Sequence, residues 1–148
     1  EAFRKILALP YTAIVKESSG TMQKLTEVLL DAPKEVSVFC GCDNLAYESF
    51  ADGACGWISM LANVAPRQCV ELYRSVCLEK DLEKGMQIYK EILPALNVLE
   101  SFPKPVQALK YGLGKKGLNG GFVRRPRMEL TGEEKSYVER AMQFEKLR

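Results

Sequence analysis

The chain has 148 residues, 47% hydrophobic and 27% charged, with a net charge of +2. That balance suits one globular domain, or part of a larger one, with enough apolar residue for a core. A nearly neutral chain with no dense basic block among interleaved aromatics excludes nucleic acid as an expected partner.

Glu1 to Leu9 carries a helical pattern, with Phe3, Ile6 and Leu7 on one side, and Pro10 ends it. Thr12-Ala13-Ile14-Val15-Lys16 is a compact β-favouring run, broken by Ser18-Ser19-Gly20. Thr21 to Leu30 returns to helical period through Met22, Leu25, Val28 and Leu29. Val36 to Cys40 is a second apolar strand, closed by Gly41. Asn44 to Ala51 reads as a helix with Asp43 or Asn44 as its N-cap. Gly56 to Met60 is a third strand, and Pro66 opens a helix whose Cys69, Val70, Tyr73, Val76 and Cys77 share a face.

The second half changes character. Asp81 to Glu100 is a long amphipathic helix, with Leu82, Met86, Tyr89, Leu93, Leu96 and Leu99 at helical spacing. Phe102 to Pro105 is a turn, Val106 to Leu113 another helix, and Leu118 to Arg127 a Gly- and Arg-rich loop. Thr131-Gly132-Glu133-Glu134 fits a capping box for a last helix through Phe144.

Alternation of strand and helix implies parallel strands with helices outside, and strands apolar along their length imply burial on both faces. Three such units cannot close a barrel alone, and an open sheet of three strands would leave apolar edges. The five cysteines, Cys40, Cys42, Cys55, Cys69 and Cys77, are odd in number and irregular in spacing. They read as small buried thiols in a reducing cytosol rather than a disulfide framework or zinc knuckle, and there is no histidine. No signal peptide opens the chain, and no apolar run is long enough to cross a bilayer, so no membrane is expected. Glu1 is not a natural start, so the expectation is that the true N-terminus lies upstream.

Lys16 is the unusual residue. It follows β-favouring residues at a strand end, where parallel α/β folds build active sites. Desolvation there favours the neutral amine, which can attack a ketone and form an iminium that acts as an electron sink. The plainer reading is a lysine that reaches out to solvent. Glu17 should point to the opposite side of the strand, and Ser18 and Ser19 suit capping better than nucleophilic roles. Gly41 permits close backbone approach. Asp43 is read first as an N-cap and second as a catalytic carboxylate. Asn63 either hydrogen-bonds near the site or holds the next turn. Arg124, Arg125 and Arg127 either bind an anion or sit in a solvated loop.

Ile14-Val15-Lys16-Glu17-Ser18-Ser19-Gly20 resembles the Schiff-base lysine signature of the dihydrodipicolinate synthase / N-acetylneuraminate lyase family. Gly41-Cys42-Asp43-Asn44 resembles that family's Gly-Asp-Asp turn, and Gly56 to Pro66 is similar to the segment that follows it. Pro103 to Lys110 resembles its Pro-x-Pro-Val-Lys helix start, and Phe122 to Leu130 its Arg-x-Pro loop. The matches keep the family's order over nearly the whole chain, and the Ala62 to Pro66 stretch is most like the synthase.

The resemblance implies an α/β fold: the C-terminal part of a TIM (β/α)8 barrel, about three units holding strands six to eight, then a C-terminal helical domain. The division falls at 1–79 and 80–148. Lys16 would form the imine, and Gly41 and Ile58 would line the pyruvate pocket, Ile58 through its backbone. Asp43 and Asn63 are further possible site residues. The implied reaction condenses pyruvate, bound on Lys16, with an aldehyde, which in the synthase is aspartate semialdehyde. No cofactor or metal is implied, because the lysine is itself the electron sink. A cytoplasmic homo-oligomer, a tetramer or dimer of dimers, is implied as well. Departures are Cys42 and Asn44 in the turn, Ser101-Phe102 before Pro103, and Gln107 in place of a lysine. The family's proton-shuttling tyrosine, carboxylate loop and second-substrate arginine would lie upstream of Glu1. Alternatives are a sialic-acid or sugar-acid aldolase or dehydratase, and, in another class, a non-catalytic half-barrel interaction module.

Overall fold

A computed structural model describes residues 2–148, so Glu1, where the first expected helix began, lies outside it. The elements alternate at first: α1 (Ala2–Leu7), β1 (Ile14–Glu17), α2 (Met22–Asp31), β2 (Ser37–Cys40), α3 (Ala46–Asp52) and β3 (Gly56–Trp57). Helices follow: α4 (Pro66–Tyr73), α5 (Leu82–Ser101), α6 (Pro105–Lys115) and α7 (Gly132–Met142). Strands β1, β2 and β3 lie in that order in a parallel three-stranded sheet. The register pairs Lys16 with Phe39, and Phe39 with Gly56.

The sheet is covered on one face. Val38 and Cys40 are buried, with Val15 packed on the same core, because the side chains alternate and α2 and α3 lie against this side. Ile14 and Lys16 point the other way and are exposed, so burial of β1 on both faces is not what this chain shows. Parallel strands need cover on each side, and the described residues supply it on one.

The third strand is shorter than expected. Pairing stops at Trp57, and Met60 and Leu61 turn inward because their amide N–H groups go to the Asp43 carboxylate instead of to a neighbouring strand. The face expected on α4 also shifts. Gln68, Cys69 and Leu72 are buried while Val70 is 56% exposed, and the helix passes into one π turn, Arg74–Leu78, in which Ser75 and Val76 continue the buried stripe.

Helix α5 is the pillar of the core. Tyr89, Ile92, Ala95, Leu96, Val98 and Leu99 are buried on it, and it touches α4, α6 and α7. Asp81 caps it by accepting the Lys84 N–H at 2.9 Å. The capping box of α7 is formed: the Glu134 N–H donates to Thr131 Oγ1 at 3.2 Å, and the Thr131 N–H to Glu134 Oε2 at 2.8 Å. Helix α7 stops at Met142, before the expected Phe144, because Gln143 is left-handed with φ 49°. The C-terminus is then tied down by Gln68, whose buried amide donates to Lys146 O at 2.8 Å and accepts from the Arg148 N–H at 2.5 Å.

Candidate active site

The C-terminal ends of the three strands stand side by side, and each carries a residue singled out from the sequence. Lys16 is the third residue of β1, on the uncovered face with Ile14. Glu17 alternates to the half-buried side, and its Oε1 accepts the Ser19 N–H at 2.7 Å. Thr21, not Ser18 or Ser19, caps α2 by accepting the Lys24 N–H.

Gly41 follows β2 and lies against the lysine. A Cβ there would run first into Ser18 Oγ and would also come within 2.6 Å of Lys16 Cε and of the Glu17 carbonyl oxygen, closer than real side chains pack. Glycine is therefore the residue that lets the β2 turn and the lysine share this space. Next to it, the Cys42 thiol takes a hydrogen bond from the Gly20 N–H and lies in the electrostatic field of Lys16, Glu17 and Glu100. Burial pushes this thiol up, and the Glu100 charge adds to the effect. Cys40, also buried and pushed up by burial, donates to Cys42 O at 3.2 Å.

Asp43 does not cap the helix that follows it. Residues Asp43–Leu45 form a 3-10 turn with no side-chain cap before α3. The Asp43 carboxylate is 1% exposed and reaches across to the end of β3. Its Oδ1 accepts Trp57 Nε1–H at 3.0 Å and the Met60 N–H at 3.1 Å, and its Oδ2 the Leu61 N–H at 2.8 Å. Burial pushes the Asp43 carboxyl up from its ordinary value, and those three donors oppose the rise. The side chain thus ties the turn after β2 to the end of β3 and the loop that follows it.

Ile58 sits directly after β3, 51% exposed. Its N–H donates to Cys40 O at 3.0 Å, which carries the β2–β3 pairing one residue past Trp57. Asn63 is exposed and donates to Met60 O at 2.9 Å, which holds the turn below Ile58. Arg124, Arg125 and Arg127 are exposed in the loop after α6. Among the described residues no group of three or more His, Cys, Asp or Glu is arranged to hold a metal ion, and no helix is long and apolar enough to cross a membrane.

Two residues from the helical half complete the neighbourhood, and sequence reasoning did not find them. Glu100 Oε1, at the end of α5, accepts the Asp43 N–H at 2.5 Å, and Asn97 Oδ1 accepts Asn44 Nδ2–H at 3.2 Å. The signal available was a carboxylate in the last turn of a helix, where the helix dipole disfavours it.

The model of the dihydrodipicolinate synthetase family matches residues 1–145. A 4-hydroxy-tetrahydrodipicolinate synthase of Listeria monocytogenes is 32% identical over 135 residues, 90% of this chain and 45% of that protein. A solved structure of a candidate dihydrodipicolinate synthetase from Pseudomonas aeruginosa superposes with TM-score 0.86 at 33% identity, over 99% of this chain and 49% of the other. A chloride-inhibited dihydrodipicolinate synthase of Acinetobacter baumannii, solved with pyruvate, superposes with TM-score 0.83 at 25% identity, over 98% of this chain and 49% of that one. The chain spans about half the length of the curated relatives it matches. The family model's match over residues 1–145, on a fold that superposes on half of the solved synthases, makes this chain a member of the dihydrodipicolinate synthetase family, corresponding to the C-terminal half of its fold.

Proposed function

We propose that Lys16 is the imine-forming residue of a pyruvate-dependent lyase of the 4-hydroxy-tetrahydrodipicolinate synthase kind. The observation that carries this reading is the placement of Lys16 on the uncovered face of β1, its Cε packed against a turn that only glycine allows. The neutral Nζ attacks the ketone carbon of pyruvate. Proton transfers let the carbinolamine oxygen leave as water, which gives the iminium. Loss of a methyl proton yields the enamine. Its carbon attacks the aldehyde carbon, whose oxygen takes up a proton, and water then hydrolyses the imine to free Lys16. Gly41 leaves room for the bound keto acid, and the backbone of Ile58 lines the pocket beside it. Asp43 keeps those two strand ends in register, and Asn63 holds the turn behind Ile58.

The reading extends to the whole protein. Residues 1–79 are the last three strand-helix units of a (β/α)8 barrel and residues 80–148 its helical appendage, in a cytoplasmic homo-oligomer that takes pyruvate and an aldehyde. The exposure of Lys16 and Ile14 supports this, because the inward face of a barrel strand is bare when the strands that close the barrel are not beside it. The test is borohydride reduction with pyruvate, on this chain joined to the upstream half that its relatives carry. Mass spectrometry should place a stable adduct on Lys16. No adduct, or an adduct that survives Lys16→Ala, overturns the proposal.

A further inference from the structure

The helical half contributes one charged group to the lysine end of the sheet. Glu100 is the second-to-last residue of α5, and its carboxylate would be disfavoured at a helix C-terminus if local electrostatics decided. Its partner is not local. The Asp43 N–H, 57 positions away, meets Oε1 at 2.5 Å, a short contact of the charge-assisted kind. The Asp43 carboxylate in turn accepts from Trp57, Met60 and Leu61, so this single residue links α5, the turn after β2 and the end of β3 with the loop after it. The residue before Asp43 is Cys42, and the thiol of Cys42 lies in the field of both Glu100 and Lys16. The residue before that is Gly41, packed on Lys16 Cε.

We infer that Glu100 is a positioning residue for the lysine site: by holding the Asp43 N–H it sets how closely the Gly41-Cys42 turn lies over Lys16, and so the shape of the keto-acid pocket. This rests on the imine reading of Lys16. A carboxylate that served only to dock α5 would be redundant, since α5 is already anchored through Tyr89, Ile92, Leu96 and Leu99 in the core. Tyr89 also donates its hydroxyl to Asn44 O at 2.6 Å, a second tether to the same turn. What Glu100 adds to these is a fixed height for the amide of Asp43 itself.

The experiment measures borohydride trapping at Lys16 as a function of pyruvate concentration, in the same completed protein as above, for wild type, Glu100→Gln, Glu100→Ala and Glu100→Asp. Small misplacements at a reacting centre are worth roughly a hundredfold, so Glu100→Ala is expected to raise the half-saturating pyruvate concentration by roughly ten- to a hundredfold. Trapping at saturation should change far less, since the lysine itself is untouched. Glu100→Gln keeps an oxygen at the same reach and is expected to restore most of the affinity, whereas Glu100→Asp, one methylene shorter, is not. Melting temperatures of the four proteins should stay within a few degrees of one another. An unchanged pyruvate dependence in Glu100→Ala overturns the inference. Equal loss in Glu100→Gln and Glu100→Ala overturns it as well, because charge rather than placement would then be what matters. Should Glu100→Ala not fold, the contrast between the Gln and Asp variants decides by the same criterion. A wild type that forms no adduct removes the imine reading and this inference together, whereas a wild-type adduct with indifferent variants removes this inference alone.

Discussion

Replacing Asp43 should uncouple the ends of β2 and β3. In Asp43→Ala three donors lose their acceptor: the buried Leu61 N–H, and the half-buried Met60 N–H and Trp57 indole N–H. An unsatisfied buried donor costs about 1–3 kcal/mol. Taking about 2 kcal/mol for Leu61 and about 1 kcal/mol for each of the others, the expected loss is about 4 kcal/mol. For a chain of this size that corresponds to a melting point lower by roughly 8–16 °C. Asp43→Asn keeps one oxygen for Trp57 and Met60 and turns an amide toward the Leu61 N–H. It also removes the cost of burying a charge, so its loss should be about half that of the alanine variant. Urea unfolding followed by tryptophan fluorescence reads the strap directly, because Trp57 is the single tryptophan and its indole N–H is one of the three donors. An alanine variant within about 1 kcal/mol of wild type, or an asparagine variant as damaged as the alanine one, would refute the assignment of these bonds as the strap.

Two further outcomes follow from the same neighbourhood. Gly41→Ala places a methyl 2.6 Å from Lys16 Cε and from the Glu17 carbonyl oxygen, so the turn must lift. The expected result is a stability loss of about 1–3 kcal/mol by denaturant titration, with loss of the borohydride adduct at Lys16; full retention of both would contradict the close approach. Cys69 is pushed up to about 12 by burial, partly countered by Ser59, while Cys55 is exposed. At pH 8 iodoacetamide should therefore modify Cys55 and spare Cys69 until the chain is unfolded in urea, and peptide mapping that finds Cys69 alkylated in the native chain would contradict that placement.

Much of the backbone was legible from local pattern. Helical period located α2 and α5, Asp81 and the Thr131 capping box marked the starts of α5 and α7, and β-favouring runs located β1 and β2. The places of Lys16 near the end of β1 and of Gly41 directly after β2 were legible too, because each closes a short β-favouring run. Residue-level detail failed where the partner was distant. Asp43 looked like a helix cap, since Asp before a helical pattern normally is one; its carboxylate instead serves Met60 and Leu61, and that same exchange ended β3 at Trp57. The face of α4 differs at Gln68 and Val70, because the buried amide of Gln68 is satisfied by the distant C-terminal backbone at Lys146 and Arg148, a partner that local pattern does not reveal.

Sequence alone determined the order of strands and helices, the parallel sheet, and the lysine, glycine and isoleucine at the three strand ends, because these depend on backbone preference and on motifs a few residues long. Tertiary structure alone decided that Lys16 lies on an uncovered face, that Asp43 ties two strand ends, and that Glu100 reaches them from the helical half. Those facts depend on which groups meet across 18 and 57 positions of chain, and a hydrogen bond between distant residues leaves no periodic trace in either segment.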